Sequence, residues 1–237
     1  ELFDYIENTG GSFIYNGLDN TFDVINDVYN KAKLFKFGDR DFINANLINA
    51  DPLLEFSWKD SNGIKNNIKS NLVGSYNLAN FLVAIVFGHL FKIESKKINN
   101  ALCEYTPSNN RSQLAYSKSN EIIIDCYNAN PSSMKAALKS IKEANNKNKV
   151  VILGDMLELG EDSQKEHQTL LNLAKKYKLE VYAVGEIFNS IQSDIIKNKF
   201  KTSDQALKHF TKNPIKNSII LVKGSRGIAL EKLIPAL

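Results

Sequence analysis

The sequence predicts an α/β protein whose second half is a mainly parallel sheet with helices on both faces. Two observations carry this reading. After residue 120, short apolar runs alternate with longer segments of helical periodicity, and the connections between them are short. Several runs also end in a small or charged residue just before a helix start, as at Asp125, Gly154 and Lys223. In such sheets ligands sit at the carboxyl ends of the strands, so these are the positions to inspect.

Length and composition bound the answer. The 237 residues allow one large domain or two ordinary ones. With 43% hydrophobic and 24% charged residues the chain has the apolar side chains for a sizeable core, which excludes disorder, collagen and coiled coil as the main state. The net charge of +4 is slight and spread out, so no nucleic-acid partner is expected. Two cysteines, Cys103 and Cys126, make no disulfide framework and point to a reducing cytosol. No apolar run reaches the roughly 18–20 residues of a membrane span. The longest candidate, Asn80 to Phe91, is interrupted by Gly88 and His89. No basic segment leading into an apolar one opens the chain, and it begins at Glu1 rather than Met, which reads as a fragment.

The first third reads as strand-rich and irregular. Gly10 to Asn16 is a turn into a short strand, and Lys33 to Phe37 alternates like a half-buried strand ending at Gly38. Leu53 to Trp58 is a further strand. Ser61-Asn62-Gly63 is a hairpin-type turn, with Ile64 to Leu72 as the returning partner. Apolar residues then take helical spacing from Tyr76 to Phe91, and a shorter helix follows from Ser95 to Cys103. The polar, Pro-containing segment Thr106 to Asn110 is the best linker, so the boundary divides residues 1–108 from 109–237.

After it come a buried strand, Glu121 to Asp125, and a helix, Pro131 to Ala144, with Pro in its first turn. Strand Lys149 to Gly154 and helix Ser163 to Tyr177 follow, with Ser163 and Glu166 in capping-box spacing. Glu180 to Gly185 is a strand, Ile187 to Ile196 a helix, and Ser203 to Thr211 a helix capped by Ser203. Ser218 to Gly224 is the last strand, and a helix runs from Gly227 or Ile228 to the end.

Four segments can carry chemistry. In Asp125 to Pro131, the carboxylate can accept hydrogen bonds from ribose hydroxyls or join a metal shell, and Asn128 and Asn130 can both donate and accept. Equally, Asp125 reads as a strand-end turn residue and Asn130 as a helix N-cap. Lys223 to Gly227 sets two cations, Lys223 and Arg226, and the Ser225 hydroxyl at a helix start, which suits a phosphate or carboxylate. The acidic loop Gly154 to Glu161, with Asp155, suits an ammonium group or a metal, or serves the following helix N-terminus. Asn77 and Asn80, three apart on one helix face, can bracket a purine edge or serve the helix itself. His89, His167 and His209 are scattered, and neither H-x-x-H nor C-x-x-C occurs, so no metal ligands are assigned. There is no G-x-S-x-G elbow, no G-x-x-x-x-G-K-S/T loop, and no G-x-G-x-x-G after a strand, which argues against an NAD oxidoreductase.

Taken together these segments resemble the Mur ligase family. The matching stretches are Glu1 to Phe3, Gly74 to Asn80, Asn110 to Gln113, Asp125 to Met134, Leu153 to Gly160 and Val222 to Gly227, in order across essentially the whole chain. The resemblance implies a three-domain enzyme. Residues 1–108 would be the later part of its central ATPase domain, without the phosphate loop, and 109–237 its Rossmann-like C-terminal domain. The phosphate loop, the metal-binding Glu and His and a carbamylated lysine would all lie before Glu1, so the Mg²⁺ ligands are expected there and the fragment alone is expected to be inactive. Tyr76 stands where many relatives carry His.

The implied reaction is ATP-driven amide formation through an acyl phosphate, adding D-alanyl-D-alanine to UDP-N-acetylmuramoyl-tripeptide for peptidoglycan, in the cytoplasm and as a monomer. Residue by residue, Asn77 and Asn80 resemble the adenine-side asparagines and Arg111 the arginine that reaches ATP phosphate. Asp125 resembles the ribose-holding aspartate. Asn128 stands where other branches have a nucleotide-contacting His. Arg111 and Lys223 are the catalytic candidates, and Asn130, Asp155, Ser225 and Arg226 face the substrates. His167 matches a His in this branch. The rivals are a folylpolyglutamate-synthetase-like ligase, against which the Y-N-A-N-P and D-M-L-E-L-G strings argue, and a nucleotide-binding module without catalysis.

Overall fold

The computed structural model describes residues 1–17, 33–37, 43–59, 63–145 and 148–237. Its contacts divide the chain into two units. The first holds Glu1–Asn49, Leu54–Ser70 and Ser75–Tyr105, and the second Ala50–Leu53, Asn71–Gly74 and Thr106–Leu237.

In the first unit, helix α1 (Leu2–Thr9) closes on Gly10 in the left-handed region, where glycine has no Cβ to clash. Strands β1 (Ser12–Asn16) and β2 (Lys33–Phe37) pair in parallel. Strand β4 (Leu53–Lys59) lies between β3 (Asn44–Ala50) and β5 (Lys65–Val73). Leu54, Phe56 and Trp58 of β4 are fully buried, and the Trp58 indole N–H donates to Asn99 Oδ1 at 3.0 Å. Helices α2 (Leu78–Leu90) and α3 (Ser95–Glu104) follow. Gly88 lets them touch, because a Cβ there would stand 2.7 Å from Ile98 Cδ1. The expected start of α2 at Tyr76 is instead a 3₁₀ turn over Ser75–Asn77. The strand end at Gly38 and residues 61–62 of the expected turn lie outside the described residues.

The second unit is the α/β domain. Its elements are β6 (Gln113–Tyr116), β7 (Asn120–Asp125), α4 (Pro131–Glu143), β8 (Lys149–Gly154), α5 (Ser163–Lys176) and β9 (Glu180–Val184). Then come α6 (Glu186–Ser190), β10 (Ile196–Phe200), α7 (Ser203–Lys212) and β11 (Ser218–Lys223). The strand order is β10-β9-β8-β11-β7-β6, parallel throughout except for β6, which runs antiparallel to β7. Alternate residues feed two cores. Ile123, Val151, Val181 and Leu221 pack with α4 and α5, while Ile122, Ile152, Tyr182 and Val222 pack on the other face with Phe210 and Leu233. A strand buried on both faces has no polar alternation, which is why these runs are continuous. Each fully buried Ile, Leu or Val contributes about 1.5–3 kcal/mol.

The chain passes from β7 to β8, builds outward to β10, and returns to insert β11 between β7 and β8. The carboxyl ends of these three strands are therefore neighbours, with Lys223 in register with both Asp125 and Leu153.

Four local expectations are corrected. The helix expected over Ile187 to Ile196 ends at Ser190, and Ile196–Phe200 is the edge strand β10. Its central Lys197, Asn198 and Lys199 suit an edge and hide the strand signal. Helix α7 is capped by Thr202, whose Oγ1 accepts from Gln205 N, rather than by Ser203. Helix α5 has no capping box, because a 3₁₀ turn over Gly160–Asp162 leads into it and holds Asp162 in helical geometry. The C-terminus is two 3₁₀ stretches, Arg226–Ile228 and Leu230–Ala236, broken at Ala229 in the left-handed region.

Candidate functional site

At the carboxyl edge of the sheet, β7 and β11 end in an ion pair. Lys223 Nζ lies 2.7 Å from Asp125 Oδ2, with the two side chains 3% and 12% exposed. The ammonium also faces the carbonyls of Asn128 at 3.2 Å and Asp125 at 3.5 Å. Its three donors are thus matched by three acceptors inside the domain. Asp125 Oδ1 accepts from Ser112 N at 3.1 Å. Each carboxylate oxygen has a second lone pair, so Asp125 keeps acceptor capacity beyond these two bonds.

Arg111 and Arg226 flank this pair in sequence and are exposed. The Arg111 guanidinium lies 3.8 Å from the centroid of the Tyr127 ring, and that of Arg226 lies 5.3 Å from it. Among the described residues neither has a carboxylate within ion-pair distance. Asn128 accepts from the N–H of Ala129. Asn130 caps α4: its Oδ1 accepts from Ser133 N at 2.8 Å, and Ser133 Oγ accepts from Asn130 N.

Asp155 follows β8 and is 2% exposed. Its two oxygens accept from Ile187 N at 2.8 Å and Phe188 N at 2.9 Å, at the start of α6. Burial pushes its carboxyl above the ordinary value, against the two amides that favour the charged form. Gly185, at φ +129, is required here, since a Cβ would stand 2.2 Å from Asp155 Cγ. His167 is fully buried beside this loop. Its Nε2 accepts from Met156 N and its Nδ1 donates to Ser163 O, which fixes the tautomer. Ser225 Oγ accepts from Leu157 N, and Ser225 N donates to Asp155 O, tying the two loops together. Asp155, His167 and Ser225 thus hold the loops that frame the edge. In the first unit, buried Asn77 accepts from exposed Asn80, Nδ2 to Oδ1 at 3.0 Å.

Tyr127 is the contact sequence reasoning missed; an aromatic between Asp125 and Asn128 gives no signal until the two guanidinium groups are placed around it. Cys126 is buried, and burial, followed by Glu231 and Asp125, pushes its thiol up to about 12. No group of three or more His, Cys, Asp and Glu that could hold a metal occurs among the described residues. A cavity of about 660 Å³ opens at the opposite end of the strands, beside Lys149, Lys178 and Ser218. Helix carboxyl ends point there and draw lysines by their negative pole, so its basic lining has an ordinary cause.

Residues 110–226 match the family described as Mur ligase, glutamate ligase domain. Residues 110–226 of the chain thus form a domain of the Mur ligase family. It is similar to the UDP-N-acetylmuramoyl-tripeptide–D-alanyl-D-alanine ligase of Rickettsia prowazekii, 33% identical over 158 residues that make up 65% of this chain and 34% of the relative. The ligase of the same name from Buchnera aphidicola is 33% identical over 175 residues, 72% of this chain and 38% of the relative. The crystal structure of MurF from Acinetobacter baumannii shares the fold, with a TM-score of 0.80 at 24% identity over 94% of this chain and 51% of that one. MurF from Thermotoga maritima in complex with ADP superposes with a TM-score of 0.78 at 18% identity, over 95% of this chain and 52% of that one. The chain therefore spans between about a third and a half of the relatives it matches.

Proposed function

We propose that the chain is the later part of an ATP-dependent ligase that joins D-alanyl-D-alanine to UDP-N-acetylmuramoyl-tripeptide in peptidoglycan precursor synthesis. Residues 1–108 belong to its central ATPase domain and 109–237 form its C-terminal domain. The full-length protein acts as a cytoplasmic monomer, and the chain alone is inactive. The observation that carries this is the pair of guanidiniums, Arg111 and Arg226, without carboxylate partners among the described residues, at the carboxyl edge of the sheet in a chain that is 33% identical to such a ligase over 158 residues.

The residues present fit a nucleotide. Two exposed guanidiniums suit phosphate oxygens, and a part-engaged carboxylate beside them suits ribose hydroxyls. Mg²⁺ supplies charge neutralisation at the phosphates when bound, with ligands from elsewhere in the full-length protein. The reaction has two steps. A carboxylate oxygen of the tripeptide attacks the γ-phosphorus and ADP leaves, giving an acyl phosphate. The neutral amine of D-alanyl-D-alanine then attacks the acyl carbon, inorganic phosphate leaves, and the nitrogen gives up a proton.

The chain's own part is positioning and electrostatics. Arg111 binds phosphate oxygens through a planar guanidinium that can reach two of them at once. Asp125 accepts from the ribose, oriented by Lys223 and the Ser112 amide, so Lys223 acts on catalysis through Asp125. Asn77 and Asn80 meet the adenine edge. Asn128 stands by the nucleotide, and Asn130, Ser225 and Arg226 line the substrate side. Asp155 holds the loop behind them. The test is phosphate release by the full-length protein with ATP and tripeptide. D-alanyl-D-alanine is expected to support turnover and glutamate not; the reverse would favour a folylpolyglutamate-synthetase-like ligase, and turnover with neither a binding module.

A further inference from the structure

The mechanism leaves Tyr127 without a role, although two cations converge on its ring. Arg111 lies 3.8 Å and Arg226 5.3 Å from the ring centroid. The two guanidiniums come from opposite ends of the domain's sequence, one before β6 and one after β11. Like charges repel, and a carboxylate between them would be the usual remedy. Here the negative face of an aromatic ring takes that place. The difference matters for ligand binding. A carboxylate occupies the N–H donors of a guanidinium, whereas ring contact leaves them for an incoming anion.

The backbone around Tyr127 is pinned as well. Lys223 Nζ reaches the carbonyls of Asp125 and Asn128, one on each side of Tyr127. The neighbour of Arg111, Ser112, donates its amide to Asp125, and Arg226 follows Lys223 by three residues. The ion pair thus fixes the three backbone segments, and the ring gathers the two side chains they carry.

We propose that Tyr127 is a positioning residue, whose ring holds Arg111 and Arg226 together as a preformed clamp for one phosphate-bearing group. This rests on the ligase reading above and deepens it. A preformed clamp spares the ligand the cost of ordering two long side chains, a cost that falls equally on bound substrate and transition state. Its loss therefore appears in the KM for ATP rather than in kcat.

The test uses the full-length protein with Tyr127→Leu, Tyr127→Phe, Arg111→Ala and the double variant Tyr127→Leu/Arg111→Ala. Tyr127→Leu is expected to raise the KM for ATP about tenfold, with kcat and the KM for D-alanyl-D-alanine within about twofold. Tyr127→Phe, which keeps the ring, restores the wild-type KM. In the Arg111→Ala background Tyr127→Leu adds less than it does alone, because the two act as one unit. An unchanged KM for ATP in Tyr127→Leu, or Tyr127→Phe as impaired as Tyr127→Leu, overturns the proposal. If the wild type itself shows no turnover, the ligase reading fails, and calorimetric titration with ADP then decides on the clamp. About tenfold weaker binding by Tyr127→Leu, with Tyr127→Phe binding like the wild type, supports it, and equal binding by all variants overturns it.

Discussion

The Lys223 ammonium and the Asp125 carboxylate meet at 2.7 Å across two adjacent parallel strands, with both side chains withdrawn from solvent. Such a pair costs desolvation on both sides, and its mutual attraction roughly offsets that cost. Losing one partner is another matter, because the other charge is left buried and alone. Lys223→Met is therefore expected to destabilise the chain by about 3–5 kcal/mol in urea unfolding, and the double variant Asp125→Leu/Lys223→Met by clearly less. Single and double variants that cost the same would show that the pair is not coupled.

Asp155 gives stability an unusual pH dependence. Its carboxyl is held above the ordinary value of 3.8, chiefly by burial. The folded state then binds the proton at a higher pH than the unfolded chain does. The stabilising part of this titration is complete below the unfolded value and is lost as pH rises through the folded one. The urea midpoint of the wild type minus that of Asp155→Asn is expected to fall as pH rises from about 4. A difference that grows with pH would mean that the amides of Ile187 and Phe188 outweigh burial.

The two thiols should separate cleanly. Cys103 is half-buried, whereas Cys126 is buried with its thiol pushed up to about 12. The thiolate is the reactive form, so at pH 8 a disulfide reagent is expected to modify Cys103 first and Cys126 only on unfolding. Two equally fast thiols in the native protein would contradict this placement.

The central sheet was legible because β7, β8, β9 and β11 are buried on both faces and read as unbroken apolar runs. The edge strands β6 and β10 were not, since Phe200 alone among their residues is buried and Lys197 to Lys199 break the pattern. The site was legible where one residue carries its own chemistry, as with Asp125 or the N-cap of Asn130. It was illegible where meaning comes from a partner remote in sequence. Lys223 read as an anion-binding cation until β11 was found beside β7, where the lysine meets Asp125. Asp155 read as a substrate ligand until the short helix α6 set its first amides against it.

The central claim is that this edge of the second unit grips the nucleotide's phosphates through a permanently charged side chain. The most direct measurement is ATP turnover by the full-length protein with Arg111→Ala, alongside its urea midpoint. The exposed guanidinium contributes little to folding, so stability is expected to stay within about 0.5 kcal/mol of the wild type. Turnover is expected to fall by about a hundredfold or more, the scale of losing one transition-state donor. Unchanged turnover in a stably folded Arg111→Ala protein would contradict the account.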